Sequence, residues 1–225
     1  MNGLLTYTLV AINIAAYIWV AFTGGFGDTR SLIEHGALYG PLVARGEYWR
    51  IVTSAFLHGG LLHIALNMFA LVQVGTYLEA LVGSARMLAI YTIALIGSGI
   101  AVVLFSPNDV TVGASGAIFG IFGALVAVGI RLGPAGRGLI GQTLPIVGLN
   151  LAFGFSMANV SNAGHIGGLI SGFLAGLAIF MTQRRPQYEQ EVLAAQAALG
   201  VEELESDAPG ADARDAHATE MPPQR

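Results

Sequence analysis

The chain of 225 residues contains no cysteine and no lysine. The absence of cysteine excludes disulfide bonds, thiol nucleophiles, iron–sulfur clusters and Cys-ligated zinc. Because all ten basic residues are arginine, chemistry that needs a side-chain amine, such as Ser–Lys hydrolysis or Schiff-base formation, is excluded as well. Charged residues make up only 11% of the chain, whereas a soluble domain has about 25%. Together with a mean hydropathy of +0.66, this scarcity predicts an integral membrane protein.

The few charges are unevenly distributed. From Pro186 onward there are nine acidic residues and two arginines, whereas the preceding 185 residues carry five acidic residues and eight arginines. The last part is also rich in Ala and Pro, a composition that buries too little apolar surface to fold. We therefore predict a membrane domain over 1–185 and an acidic, largely disordered cytoplasmic tail over 186–225, with one short helix near 188–200. No basic cluster interleaved with aromatic residues supports a nucleic-acid partner.

Long apolar runs dominate the first part of the chain. A bilayer core of about 30 Å requires about 20 mostly apolar residues per helix, and helices satisfy their own backbone hydrogen bonds in lipid. Six runs meet this requirement, so we predict an all-α membrane protein with six transmembrane helices. The first run lacks the flanks of a cleaved signal peptide and is taken as a retained helix. The predicted runs are 4–22, 55–78, 85–105, 113–131, 138–157 and 163–182.

Arginine placement predicts the orientation of these helices. The connections after the second, fourth and sixth helices hold five arginines, whereas the other side holds three, all in the long loop at 24–54. Because short cytoplasmic loops are enriched in arginine, both termini are predicted to be cytoplasmic. That long loop contains Trp49 and Arg50 near its end. A simple interfacial anchor and a functional segment in the headgroup zone explain this pair equally well.

Several polar residues fall inside or beside the apolar runs, where burial is costly and the usual reason is functional. His63 and Asn67 are four residues apart, so both project from one face of the second helix. They can offer two hydrogen-bond donors to one point, or they can simply bond across helices. The other polar residues in such positions are His58, Gln73, Ser115, Asn150 and His165.

Glycines are spaced so that the fourth and sixth helices can approach closely. Small residues recur on one face of each, an arrangement that lets helix backbones meet in a membrane. Ser115 begins the fourth helix and His165 begins the glycine stripe of the sixth, so facing contact brings a nucleophile beside a base. Ser115 alone has an ordinary structural explanation, because serine often bonds a backbone carbonyl. Packing does not explain the imidazole of His165 at the start of the stripe, where alanine would pack at lower cost. The glycines assigned to helix packing are Gly113, Gly116, Gly120, Gly168 and Gly172.

No carboxylate within the runs is placed to orient the base, so the sequence predicts a Ser115–His165 dyad. Phe119, four residues after Ser115, is the expected surface for the imidazole to lie against. His63 and Asn67 remain as donors to an oxyanion. Other mechanisms lack their residues: the helices contain no aspartate pair, and the chain contains no H-E-x-x-H zinc motif and no P-loop. No inverted repeat of the kind found in transporters is evident.

In combination, these residues resemble the rhomboid family of intramembrane serine proteases in its basic six-helix form. The resemblance spans about residues 47–176. Its parts are Glu47-Tyr48-Trp49-Arg50, Phe56-Leu57-His58, His63 with Asn67-Met68, Glu79 with Gly83, Gly113-Ala114-Ser115-Gly116, and His165 with Gly168 and Gly172.

The resemblance implies a rhomboid-like bundle with Ser115 as nucleophile, His165 as general base, and His63 and Asn67 as oxyanion donors beside the Ser115 amide. It also implies that Trp49 and Arg50 shape the first loop, that Glu79 and Gly83 are structural, and that 157–162 cap the site. Tilting of the helix at 138–157 would then admit substrate laterally. Phe119 stands where several family members have Tyr.

The implied activity is hydrolysis of a protein substrate within or next to its transmembrane helix, through an acyl-enzyme and without a cofactor or metal. The implied partners are transmembrane protein substrates and the lipid bilayer, in a bacterial-type cell membrane. A non-catalytic rhomboid-like protein that binds membrane clients is the alternative, and the presence of both Ser115 and His165 favours the enzyme. The sequence does not indicate the substrate or the oligomeric state.

Overall fold

A computed structural model describes residues 3–24, 28–156 and 160–181 and the single positions Gln190 and Ala194. This part of the chain is helical apart from turns, loops and one isolated bridge. Its six long helices follow one another along the chain. They are α1 (Leu4–Phe22), α2 (Leu61–Val82), α3 (Ser84–Phe105), α4 (Ser115–Leu132), α5 (Arg137–Ser156) and α6 (Asn162–Met181).

These helices account for five stretches that are long and apolar enough to cross a membrane. One of these stretches, Ser115–Phe155, is 41 residues long, about twice what one passage needs. It contains both α4 and α5, separated by the 3-10 turn Gly133–Gly136. Gly133 has φ +63° and ends α4 in a conformation that glycine adopts readily. The predicted fold of an all-α bundle with six helices is confirmed.

The second helix differs from its predicted range of 55–78. Residues before it form the short helices Arg50–Thr53 and Ser54–Phe56, and α2 begins only at Leu61, after Gly59 and Gly60. It then continues past Glu79 to Val82 and includes a π-helical turn at Leu71–Gly75. The prediction was wrong at the start because the apolar run continues through a sharp change of chain direction. It was wrong at the end because the structure accommodates the Glu79 carboxylate within the helix.

Glu79 connects the ends of three helices. One carboxylate oxygen accepts hydrogen bonds from Leu5 N at 2.9 Å and Ser84 Oγ at 2.8 Å, and the other accepts from Thr6 N at 2.9 Å and Thr6 Oγ1 at 2.7 Å. The first N–H groups of a helix have no intrahelical partner and attract negative charge. Glu79 therefore caps α1, and this explains how a glutamate that is 4% exposed lies within α2.

The helix α4 is the centre of the bundle and is buried along most of its length. It packs most extensively against α6, and α3 packs against both. The contact between α4 and α6 depends on glycine: a Cβ added at Gly168 would overlap the backbone of Gly116, and one added at Gly172 would overlap the backbone of Gly120. The close approach of these two helices sets the position of the residues at their first turns.

The segment before α2 is folded against the loop that precedes α4. It contains the short helices Thr29–Glu34 and Gly40–Val43. Leu38 and Thr111 form an antiparallel bridge with N–O distances of 3.0 and 2.9 Å, and Gly40 N donates to Pro107 O at 2.9 Å. This segment therefore supports the chain that leads to the start of α4. The predicted tail at 186–225 lies outside the described residues, apart from its two single positions, as do residues 157–159 of the predicted cap.

Candidate active site

Ser115 and His165 meet where α4 and α6 begin. Ser115 Oγ lies 2.9 Å from His165 Nε2, a hydrogen-bond distance. Ser115 is the first residue of α4, so its amide belongs to the turn whose N–H groups lack intrahelical partners. His165 lies in the first turn of α6 and is 8% exposed. The packing of the two helices thus brings together a hydroxyl and an imidazole that are 50 residues apart.

The imidazole of His165 is held by an aromatic ring instead of a carboxylate. Its ring is stacked on Phe119, with centroids 4.1 Å apart and an angle of 10° between the planes. Within the described residues, His165 Nδ1 has no hydrogen-bond partner. Packing against Phe119 therefore orients the imidazole that faces Ser115.

A glycine turn shapes the other side of Ser115. Gly113 has φ +123°, a conformation that disfavours residues with a Cβ, and its N–H donates to Ser54 O at 2.9 Å. A Cβ at Gly113 would lie 2.9 Å from His63 Nε2 and 3.8 Å from Ser115 Oγ. Gly113 therefore lies in a turn before α4 and leaves room for the His63 imidazole beside Ser115, whereas its spacing in the sequence predicts a role in helix packing.

His63 and Asn67 lie on one face of α2, and the His63 ring lies next to this turn. His63 Nδ1 accepts a long hydrogen bond from Gly59 N at 3.4 Å, which leaves Nε2 directed toward Gly113. Asn67 Nδ2 donates to His63 O at 2.9 Å. A carboxamide nitrogen has two hydrogens, so Asn67 keeps one donor for another acceptor. His63 Nε2 can therefore donate into the space beside Ser115, and Asn67 offers a second donor from the same face of α2.

Arg50 anchors the loop that precedes α2. It is 5% exposed and pairs with Glu47 at 2.7 Å. Its Nη1 donates to Ile33 O at 2.6 Å and to Ala37 O at 3.0 Å. Trp49 lies under the guanidinium, at 4.6 Å from the ring centroid, and is itself about half exposed. These contacts hold the short helices of the loop together and do not reach Ser115.

The sequence predicts no specific role for three further residues near Ser115 and His165. Ser161 caps α6: its Oγ accepts from Gly164 N at 3.2 Å and its carbonyl accepts from His165 N at 3.0 Å. Ser98 of α3 lies behind the dyad, against Gly116 and Gly164. His58 is buried with its ring centroid 5.1 Å from that of His63. A serine at the start of an apolar run is a capping signal, whereas the positions of Ser98 and His58 depend on tertiary packing.

Comparison with known families gives one match that covers most of the bundle. The family model described as the Rhomboid domain matches residues 45–182. The chain belongs to the rhomboid family. The matched range includes all of α2 to α6 and every residue of the Ser115 site described above.

Several relatives share this rhomboid domain. The chain is 43% identical to Rhomboid protease GluP of Bacillus subtilis over 175 aligned residues. The aligned region covers 77% of this chain and 34% of the relative. It is 37% identical to RHOMBOID-like protein 5 of Arabidopsis thaliana, over 70% of this chain and 52% of the relative. It is 32% identical to Rhomboid-like protease 3 of Toxoplasma gondii, over 68% of this chain and 58% of the relative. The chain thus spans about a third to somewhat over half of these relatives.

Proposed function

We propose that this rhomboid protein is a serine endopeptidase that cleaves protein substrates within or next to a transmembrane helix. The observation that carries the proposal is the 2.9 Å distance between Ser115 Oγ and His165 Nε2. A hydroxyl within hydrogen-bond reach of an imidazole is the arrangement that activates a serine nucleophile. Two relatives whose names include protease support the same activity.

In the proposed mechanism, His165 Nε2 takes the proton of Ser115 while Oγ attacks the scissile carbonyl carbon. The carbonyl oxygen becomes an oxyanion, which accepts hydrogen bonds from the Ser115 amide, His63 Nε2 and Asn67 Nδ2. Each such donor typically lowers the barrier by about 3–4 kcal/mol. The protonated His165 then gives its proton to the leaving amine as the C–N bond breaks, and an acyl-enzyme remains on Ser115. Water, deprotonated by His165, releases the acyl group in the same way.

The substrate must present an extended peptide bond, because a helix hides its own carbonyls in hydrogen bonds. Small, helix-destabilising residues near the cleavage site are therefore expected. Access can come from α5, whose buried residues form one narrow line: Leu139, Thr143, Val147 and Gly154. Because α5 contacts mainly α4 and only slightly α6, tilting it would break few contacts. This supports the lateral route expected from the sequence.

The alternative is a rhomboid-like protein that binds membrane clients without cleaving them. The name of the Arabidopsis relative, RHOMBOID-like protein 5, leaves catalysis open. The hydrogen-bonded pair of Ser115 and His165 favours the enzyme, since client binding requires neither a hydroxyl nor an imidazole there. We further propose a bacterial-type cell membrane with both termini in the cytoplasm, in line with the arginine distribution.

Quantitative membrane proteomics tests the proposed function. Cells that make the wild-type protein are compared with cells that make Ser115→Ala, and Ser171→Ala, which changes a serine in the body of α6, serves as the matched control. We expect uncleaved single-span proteins to accumulate only with Ser115→Ala, together with loss of their shortened products. Client binding without hydrolysis predicts no Ser115-dependent change in fragment sizes, and that result would refute the proposed protease.

A further inference from the structure

Gln73 is an exposed carboxamide in the middle of a membrane-spanning helix. It lies in α2, twelve residues after Leu61 and nine before Val82, and thus about 14 Å from the nearer end. Its side chain is too short to reach the headgroups over that distance. It also lies at the centre of the π-helical turn Leu71–Gly75, a feature that is frequent at functional sites.

The face of α2 that carries Gln73 points away from α1. The buried residues of α2 include Ile64, Met68, Leu71 and Gly75, and Gly75 packs against Thr6 of α1. The exposed residues lie two positions before each of these, which is about 200° around a helix. This outer face consists of Leu62, Leu66, Phe69 and Gln73. It is therefore the side of α2 opposite its neighbour α1.

The outer face adjoins the candidate active site on the same helix. His63 lies one position after Leu62, and Asn67 lies one position after Leu66. One position corresponds to a rotation of about 100° around the helix axis. The site face thus lies between the side that packs on α1 and the outer face. A helix that docked on the outer face would lie next to the face of α2 that carries His63 and Asn67.

A carboxamide exposed to lipid needs a hydrogen-bond partner that lipid tails cannot supply. Asn150 of α5 meets this need within its own helix, since its Nδ2 donates to Ile146 O at 2.8 Å. Within the described part of the chain, the Gln73 carboxamide makes no such bond. Polar side chains hold membrane helices together by bonding across them, so another membrane helix can supply the missing partner.

We infer that Gln73 binds a hydrogen-bonding group in the transmembrane helix of the substrate, such as a Ser, Thr, Asn or Gln side chain. The inference rests on the proposed function and adds a second point of recognition below the scissile bond. A substrate helix is the occupant because the outer face is continuous with the face that carries the oxyanion donors. A second copy of this chain would use Gln73 without any relation to the Ser115 site.

The position of Gln73 sets where the substrate group must lie. From Asn67 to Gln73 is six residues and from His63 to Gln73 is ten, which correspond to about 9 and 15 Å along a helix axis. A scissile bond level with His63 and Asn67 therefore places the recognised group about six to ten helical residues deeper in the substrate.

Cross-linking tests this register independently of cleavage. Because the chain has no cysteine, Gln73→Cys provides a single thiol, here in a Ser115→Ala background. The probe is a model single-span protein with an Ala/Leu helix, small residues at one potential cleavage site, and one cysteine scanned from position 3 to position 14 beyond it. We expect disulfide formation to peak at about positions six to ten. Uniform or absent cross-linking, or a disulfide only between two copies of this chain, would overturn the inference.

Kinetics with the full chain in liposomes provide the second measurement. The same probe, without cysteine and with one Asn scanned over those positions, is cleaved by the wild type, by Gln73→Met and by the matched control Gln142→Met, which changes an exposed glutamine of α5. When Asn lies at positions six to ten beyond the cleavage site, we expect the wild type and Gln142→Met to cleave the probe about three- to tenfold faster than the all-apolar probe. Gln73→Met should lose this preference.

Fluorophosphonate labelling distinguishes the two proposals. Gln73→Met should label at Ser115 as fast as the wild type, because it leaves the dyad intact. An unchanged preference in Gln73→Met with normal labelling would refute the role of Gln73 alone. Absence of both labelling and cleavage in the wild type would refute the proposed protease, and the cross-linking pattern would then still decide whether a membrane helix docks at Gln73.

Discussion

The rings of Phe119 and His165 lie 4.1 Å apart and nearly parallel, so an apolar side chain holds the imidazole that faces Ser115. Phe119 lies one helical turn after Ser115 on α4. One helix therefore carries both the hydroxyl and the surface on which its partner imidazole rests. The orientation of His165 depends on the register of α4 against α6 more than on any hydrogen bond at Nδ1.

Replacement of Phe119 should reduce catalysis. Phe119→Leu removes the stack, which contributes about 0.5–1.5 kcal/mol, and we expect kcat/KM on a model substrate to fall about three- to tenfold. Phe119→Tyr keeps the ring and should remain closer to the wild type. Phe122→Leu is the matched control, because Phe122 contacts Phe119 edge-on at 6.2 Å without being stacked on His165. Equal losses in Phe119→Leu and Phe122→Leu would show that the stack has no specific role.

Replacement of Glu79 should destabilise the bundle. Its two oxygens each accept two hydrogen bonds from the ends of α1 and α3. Glu79→Gln replaces one acceptor by a donor, so we expect the free energy of unfolding in detergent to fall by about 2–3 kcal/mol. Ser84→Ala removes a single bond and should cost about 1 kcal/mol. Equal losses of unfolding free energy in Glu79→Gln and Ser84→Ala would show that the capping of α1 by Glu79 does not stabilise the bundle.

Hydropathy and small-residue spacing were sufficient to predict much of this molecule. The range of α1 was predicted to the residue, and the glycines around Gly120 and Gly172 indicated which two helices meet. Both signals are local or periodic, so they can be recognised in the sequence without knowledge of tertiary contacts. The closeness of Ser115 and His165 follows from that packing.

Other features depended on contacts between distant residues and left no such signal. The sequence predicts that the second helix ends before Glu79, because a carboxylate is costly inside an apolar helix. Its hydrogen-bond partner Thr6 is 73 residues away, so no local signal indicates that the carboxylate is accommodated. The short helices of the first loop form around Arg50, whose partners include Ile33 and Ala37, and no periodicity indicates those bonds. The turn at Gly113 was interpreted as helix packing because only the structure shows the His63 ring beside it.

The contact between α4 and α6 should tolerate no added methyl group. Gly168→Ala would place its Cβ against the backbone of Gly116, next to Ser115, so we expect a loss of about 1–3 kcal/mol in stability and a strong loss of activity. The matched control is Gly148→Ala in α5, where nothing lies within 4 Å of the added atom. That variant should be neutral or stabilised by up to about 1 kcal/mol. Thermal unfolding and probe cleavage measure both effects.

Acidic pH should destabilise the protein through His58, which lies in the loop before α2. Burial, with the neighbouring His63 as a smaller cause, lowers the pKa of His58 from 6.5 to about 4. Between these values the unfolded chain binds a proton that the folded chain does not, so stability should fall as pH drops from about 6.5 to 4, by at most about 3 kcal/mol. His58→Gln removes this titration and should flatten part of the profile. Parallel unfolding profiles for His58→Gln and wild type would contradict the assignment.

The most direct test of the Ser115–His165 dyad is the site and rate of fluorophosphonate labelling, read by mass spectrometry of the intact chain and its peptides. We predict a single adduct on Ser115 in the wild type, no adduct in Ser115→Ala, and labelling slowed by at least about a hundredfold in His165→Gln, since the hydroxyl then lacks its base. An adduct on another residue, or equal labelling of His165→Gln and the wild type, would contradict the account.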